Sequence, residues 1–185
     1  MHGTEVVDPH SVPHWELSGF VEYIQSGQKH GDMILPVPKG HFALRLGNEA
    51  SIKTKVQVAK GLFYSLSFGA ARTCAQQEQL NLSVSPNSEP KDWGMLPMQT
   101  MYSTEGWDSF SWGFLAESNE VEVIFHHPQT QKDQACGPII DVVALKSFTL
   151  PKKSRGDLLA AIVVTSPKEE ILFVAFHLQM ELLSP

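Results

Sequence analysis

Residues 64–84 read YSLSFGAARTCAQQEQLNLSV, two alternating runs on either side of a cysteine. Tyr64, Leu66, Phe68 and Ala70 share one parity in the first run, and Leu80, Leu82 and Val84 share one in the second. Side chains of an extended chain point to opposite faces in turn, so each run predicts a half-buried strand with an apolar inner face. The same rhythm continues outward in both directions. "FALRL" aligns Phe42, Leu44 and Leu46, and "SIKTKVQV" sets Ile52, Val56 and Val58 against Lys53, Lys55 and Gln57. "FSWGFLA" aligns Phe110, Trp112 and Phe114, "VEVIF" aligns Val121, Val123 and Phe125, and "IIDVVAL" closes the series at Leu145. Seven such runs, parted by Gly, Asn, Pro and Ser and free of helical spacing, predict an all-β chain folded as an antiparallel β-sandwich or jelly roll.

The ends differ from this middle. Residues 1–40 are rich in Pro, Gly and His, and "MILPVP" (Met33–Pro38) reads as a loop or edge segment because two prolines interrupt it. After "LPKKSRG" the apolar runs "DLLAAIVVT" and "EEILFVAFHLQMELL" have another character, and both fall short of the ~18 residues of a membrane span. "MHGTEVVDPH" carries neither a basic start nor an apolar core, so no signal peptide is read in it.

Composition narrows the function classes. The chain has 185 residues, is 42% hydrophobic and only 18% charged, and carries a net charge of -6. An acidic chain without a basic cluster is not built for the phosphates of nucleic acid. A surface resting on uncharged polar residues is common among secreted proteins. The two cysteines, Cys74 and Cys136, fit no zinc-binding spacing, and they admit either one disulfide or two separate buried thiols. Asn81 opens an Asn-Leu-Ser acceptor sequence on the polar parity of its strand, where a glycan could sit.

Other residues offer chemistry and a plainer alternative beside it. Asp141 has the parity of Val143 and Leu145, which predicts a buried carboxylate. Either a structural calcium or backbone N–H donors at a strand entrance would satisfy it, the second being the more common solution. His126 and His127 must point to opposite sides of a strand, which disfavours a shared metal and favours a surface and loop role. Glu105 and Asp108 flank Trp107 as a glycosidase pair would, yet no nucleophile elbow, phosphate loop or His-Glu-x-x-His accompanies them. Phe110, Trp112 and Phe114 read as core. Tyr102 and Trp107 lie outside the alternating run and are the candidates for stacking on a sugar ring.

The strings "FVEYI", "VPKGHFALRLGNEASI", "LSFGAARTCAQ", "LNLSV", "MYSTEGWDSFSWGF" and "QACGPIIDVVAL", in this order, closely resemble the plant cell-wall family of domain-of-unknown-function 642 proteins. The likeness covers about residues 13–150, so it implies a divergent N-terminal segment (1–12), one galactose-binding-like jelly-roll domain (13–150) and a divergent tail of its own character (151–185). It implies a galactose-binding-like jelly roll, secretion to the plant cell wall and no catalytic activity. It also implies association with wall polysaccharide (cellulose or pectin) and with pectin methylesterase, in wall remodelling. By position it implies a disulfide between Cys74 and Cys136, matches Asn81 to the acceptor position, and matches Asp141 to an acidic residue at the last strand. In related jelly rolls that residue often joins a Glu near the N-terminus around calcium; "MHGTEVVDPHSV" replaces the family's first strand, that Glu is missing, and no cofactor is expected. Members usually continue into a second jelly roll, which the tail does not resemble, so the likeness implies a truncated or divergent member. The other function to weigh is a protein-interaction module that regulates pectin methylesterase without touching sugar.

Overall fold

The computed structural model describes residues 9, 12–27, 29–30, 33–37, 39–74, 78–85, 91–95, 106–128 and 136–148, with residues 91–95 described by backbone alone. Tyr102, Glu105 and the tail 151–185 lie outside the described residues. Four short strands come first: β1 (Glu16–Ser18), β2 (Val21–Gln25), β3 (Lys29–His30) and β4 (Met33–Ile34). The remaining strands are β5 (Phe42–Leu46), β6 (Ser51–Gln57), β7 (Phe63–Arg72), β8 (Asn81–Ser85), β9 (Lys91–Met95), β10 (Asp108–Leu115), β11 (Glu120–His126) and β12 (Pro138–Phe148). A first sheet has the order β1-β6-β11-β8-β9 and a second the order β10-β7-β12-β5-β2, while β3 and β4 form a small ribbon. All pairings are antiparallel. From β5 to β12 the chain passes repeatedly from one sheet to the other, which is the jelly-roll path.

All seven alternating runs are strands, and their apolar parities meet between the sheets. Leu44, Leu46, Leu66, Phe68, Ile140 and Leu145 of the second sheet share one core with Ile52, Val56, Leu82, Val84, Val121 and Phe125 of the first. Phe68 and Phe125 meet edge to face at 4.8 Å between ring centroids, joining the two sheets near the middle of the core. Phe114 is buried, and Phe110 and Trp112 are half-buried against the same core. Residues before the predicted domain take part as well: Val12 is in the core, and the Pro9 carbonyl accepts the Leu17 N–H at 3.0 Å.

Two expectations change. Asp141 does not share the parity of Val143 and Leu145. The register of β12 slips between Asp141 and Ala144, with Val142 at φ 55°, and this bulge sends Ile140 and Val143 inward while Ile139 and Asp141 face out. His127 is not a surface residue: it is 0% exposed, its Nδ1 lies 2.9 Å from the Gly47 carbonyl, and burial pulls its pKa below the usual histidine range. His126 does point to the other side, toward Glu49.

A β-branched residue at positive φ is strained by about 1–3 kcal/mol, a cost that glycine escapes. Val142→Gly is therefore expected to stay within about 1 kcal/mol of the parent. Val143→Gly, which empties a core position, is expected to lose about 2–4 kcal/mol in urea unfolding.

Candidate functional site

The bulge, the register and the parity of β7 together build a distinctive outer face on the second sheet. β7 turns Leu66, Phe68 and Ala70 inward, so Ser65, Ser67 and Gly69 face out. β10 turns Phe110, Trp112 and Phe114 inward and leaves Ser109, Ser111 and Gly113 exposed. The register sets Ser65 beside Gly113, Ser67 beside Ser111 and Gly69 beside Ser109. The Ser65 and Ser111 hydroxyls are 2.9 Å apart. Beyond β7, Lys146 of β12 stands beside Ser65 with its side chain exposed.

This lane of small residues is walled at both ends. At one end Leu115, Phe63 and Phe148 lie in register across three strands, with the two phenyl rings 5.8 Å apart. At the other end Trp107 lies over Gly69, its Cε3 3.4 Å from where a glycine Cβ would sit. The indole N–H donates to the Pro36 carbonyl at 3.0 Å, and the ring packs on a second small core of Ile24, Leu35, Ala43, Ala71 and Ile139. Trp107 is thus held as a half-buried wall whose polar atom is already engaged. Phe148 also reaches over Gly113, its Cζ 3.6 Å from where a Cβ would sit, so the open floor between the walls extends about 14 Å at ~3.4 Å per strand residue.

Asp141 has backbone N–H partners. Its Oδ1 accepts the Val142 N–H at 2.7 Å and its Oδ2 the Lys39 N–H at 3.3 Å, so backbone donors satisfy it. Burial, partly offset by those bonds and by the Lys39 charge, pushes its pKa up to about 6. No second carboxylate completes a hard oxygen cage around it: among the described residues, the one group of three ligating side chains is Cys74, Glu78 and Cys136. Both sulfurs of that group are joined in a disulfide with Cα atoms 5.5 Å apart, so the group is a clasp and does not suit a metal.

Glu78 completes the clasp, and the sequence offered no periodic signal for it. Its carboxylate accepts the N–H groups of Thr73 at 2.9 Å and Cys74 at 2.7 Å, and the Thr73 hydroxyl at 3.0 Å. Thr73 Oγ1 also lies 2.9 Å from both the carbonyl and the N–H of Gly137. Burial pushes the Glu78 pKa up, against the pull of those donors.

The remaining candidates do not converge on the lane. Asn81 and Ser83 share the outer face of β8 in the other sheet, half-buried between β11 and β9, and the Asn81 Oδ1 has no hydrogen-bond partner among the described residues. Asp108 begins β10 opposite Ala70, and its proposed partner Glu105 is outside the described residues.

A model of a protein family of unknown function, DUF642, matches residues 1–146. The chain belongs to the DUF642 family. Its relatives include two proteins of Arabidopsis thaliana. One, Protein DUF642 L-GALACTONO-1,4-LACTONE-RESPONSIVE GENE 2, is 54% identical over 86% of this chain and 42% of its own length. The other, Protein TEEBE, is 44% identical over 85% of this chain and 41% of its own length. The DUF642 chain thus spans less than half the length of these relatives. Similar solved structures include TmCBM61 in complex with β-1,4-galactotriose, at 14% identity and TM-score 0.48, covering 80% of this chain and 99% of that one. The CBM22-1 xylan-binding domain of Paenibacillus barcinonensis Xyn10C matches at 11% identity and TM-score 0.47, covering 72% and 85%.

Asp141 has a folded pKa raised above its unfolded value, so its contribution to stability is fully present below about pH 4 and is lost as pH rises through about 6. Glu78 acts in the same direction, whereas His127, with its lowered pKa, costs stability as pH falls below about 6.5. Asp141→Asn should therefore lessen the loss of stability between pH 4 and 6, read by thermal unfolding at each pH. In the chain-entropy model, replacing Cys74 and Cys136 together by Ala should cost about 4 kcal/mol in urea unfolding. Because a buried carboxylate beside the sulfurs disfavours thiolate leaving groups, Glu78→Gln should quicken reduction by a phosphine reductant. It should also flatten the pH profile of that reduction, relative to a small-molecule disulfide in the same buffer.

Proposed function

We propose that this DUF642 domain is a non-catalytic binder of plant cell-wall polysaccharide, acting outside the cell, with the outer lane of the second sheet as its contact surface. The observation that carries the reading is the pattern of that lane: hydroxyl and glycine positions on the floor, with Trp107 at one end and Phe63, Leu115 and Phe148 at the other. A sugar chain presents hydroxyl edges and apolar ring faces. Serine hydroxyls both donate and accept, so they match the edges, and aromatic and aliphatic walls match the faces. The rings of Trp107 and Phe148 cover Gly69 and Gly113, so the open floor between them is the short side chains of Ser67, Ser109 and Ser111.

Catalysis is a poor match for the same surface. Glycoside hydrolysis needs two carboxylates across the scissile bond. Among the described floor residues the titratable groups are Lys146 and Asp141, and Asp141 is buried and bonded to backbone N–H groups. The disulfide suits an oxidising compartment, and an Asn81 glycan on the opposite sheet would fit the same location. We place cellulose and pectin as the polymers to test, with Tyr102 as a further contact. The share of the relatives' length that this chain spans makes any role in wall remodelling part of the proposal.

Retention on insoluble cellulose and on immobilised pectin tests the reading. Ser111→Trp fills an exposed floor position with a bulky ring and should reduce retention at least tenfold while leaving the thermal midpoint unchanged. Equal retention of parent and variant would refute the assigned surface. If neither polymer retains the parent but a pectin methylesterase column does, the protein-interaction module replaces the sugar binder.

A further inference from the structure

The first sheet has an unfinished edge. β1 pairs only with Ser51–Lys53, although β6 runs on to Gln57. The Leu17 N–H points away from β6, to Pro9, so Glu16 and Ser18 are the residues that exchange backbone bonds with β6. Two residues beyond Lys53, the N–H and C=O of Lys55 therefore face the edge that β1 leaves. A cavity of about 350 Å³ opens there, at the low end of small-molecule sites.

Its walls are specific. Trp15, itself 2% exposed and tilted against Phe125 at 6.0 Å, forms the floor. The segment above it is tied down by the Thr54 hydroxyl, which donates to the His14 carbonyl at 2.6 Å. His14 holds a left-handed φ of 67°, a strained conformation that clusters at binding sites. Around the rim, Lys53 Nζ lies 3.2 Å from Glu16 Oε1, and Lys55 stands opposite Glu122 across the β6–β11 ladder. The rim thus offers two cations side by side on β6, flanked by an anion on each neighbouring strand, and carries no net charge.

We infer that this notch is a second ligand site and that its ligand is a neutral saccharide unit. Each sugar hydroxyl can donate to a carboxylate while accepting from an ammonium, so a balanced rim pairs with it fully. A polyanion or polycation of the same size would meet a like charge beside every unlike one. The notch shares no residue with the serine lane and does not depend on it. It rests on the polysaccharide reading only for the source of the sugar, and two sites on one domain would raise avidity for a polymer.

The test is an NMR amide-shift titration of the intact chain with cellotetraose and, separately, tetragalacturonate. Cellotetraose should shift the amides of His14–Glu16 and Lys53–Lys55, and tetragalacturonate should leave them in place. The double variant Lys55→Ala/Glu122→Ala should weaken the notch response at least tenfold without lowering the thermal midpoint; should it lower the midpoint, Glu122→Gln alone serves as the isosteric variant and should weaken the response severalfold. Ser111→Trp should leave the notch response intact. Absence of shifts with cellotetraose, an equal response to tetragalacturonate, or an unweakened response in the variants overturns the inference. Loss of polymer retention in Ser111→Trp with a silent notch would leave the lane standing alone; notch shifts together with unchanged retention would do the reverse.

Discussion

The second sheet depends on one corner, where the end of β7 meets the start of β12 and the end of β5. The disulfide ties Cys74 to Cys136, Thr73 Oγ1 accepts the Gly137 N–H, and Glu78 binds the turn from behind. Gly137 has a φ of 154°, and a Cβ there would fall 2.0 Å from the Leu46 carbonyl oxygen. No other residue fits. Arg45 then carries the constraint sideways: its Nη1 donates to the Cys136 carbonyl at 3.2 Å and its Nε to Glu22 at 2.7 Å. That places a buried ion pair between β5 and β2, with Phe20 against the guanidinium at 5.4 Å. Buried ion pairs add little net stability, yet losing either partner leaves an uncompensated charge worth about 3–5 kcal/mol, so the pair acts chiefly to fix the pairing of β2.

This corner explains which parts of the fold were legible. Period-two alternation reveals a strand only when one face is apolar and the other polar, as in β6, β8 and β11. β2 does not follow the rule, because Glu22 is buried by its ion pair and Ile24 by the second small core. β1, β3 and β4 are too short to display a period, and β9 (KDWGM) offers a single apolar repeat, Trp93 and Met95, too little to distinguish a strand. Asp141 was legible as a buried carboxylate and illegible as to its side, since a single bulge residue reverses parity without leaving a mark in the sequence. His127 follows a strand and precedes a proline, a context that reads as surface; the Gly47 carbonyl that accepts it is distant in the chain.

The candidate surface was half legible for the same reason. The serines and glycines of β7 and β10 could each be assigned to the polar face of a strand. That they align into a lane follows only from the register, Ser67 opposite Ser111 and Gly69 opposite Ser109, which no local pattern encodes. Trp107 was legible as an aromatic outside the alternation. Its position over Gly69, with its N–H engaged by Pro36, comes from the second small core, whose members are scattered from Ile24 to Ile139.

The two outer faces of the sandwich differ in a way that bears on ligand choice. The first sheet turns Lys53, Lys55, Glu120, Glu122 and His126 outward, so a polymer lying across the sheet must desolvate all of them, whereas a single sugar unit at the edge notch meets only Lys53, Lys55 and Glu122 with Glu16 and can bond to each. The second turns out serine, glycine and the walls of the lane, with Lys146 as the cation beside the floor. Hydroxyl groups exchange water for sugar at far smaller desolvation cost, so an extended neutral or weakly charged chain is favoured on the second sheet. The charged sheet suits a ligand small enough to enter the notch at its edge. A glycan on Asn81 would project from that charged sheet and leave the serine lane uncovered. On the proposed reading the two surfaces would act together without competing for the same polymer segment.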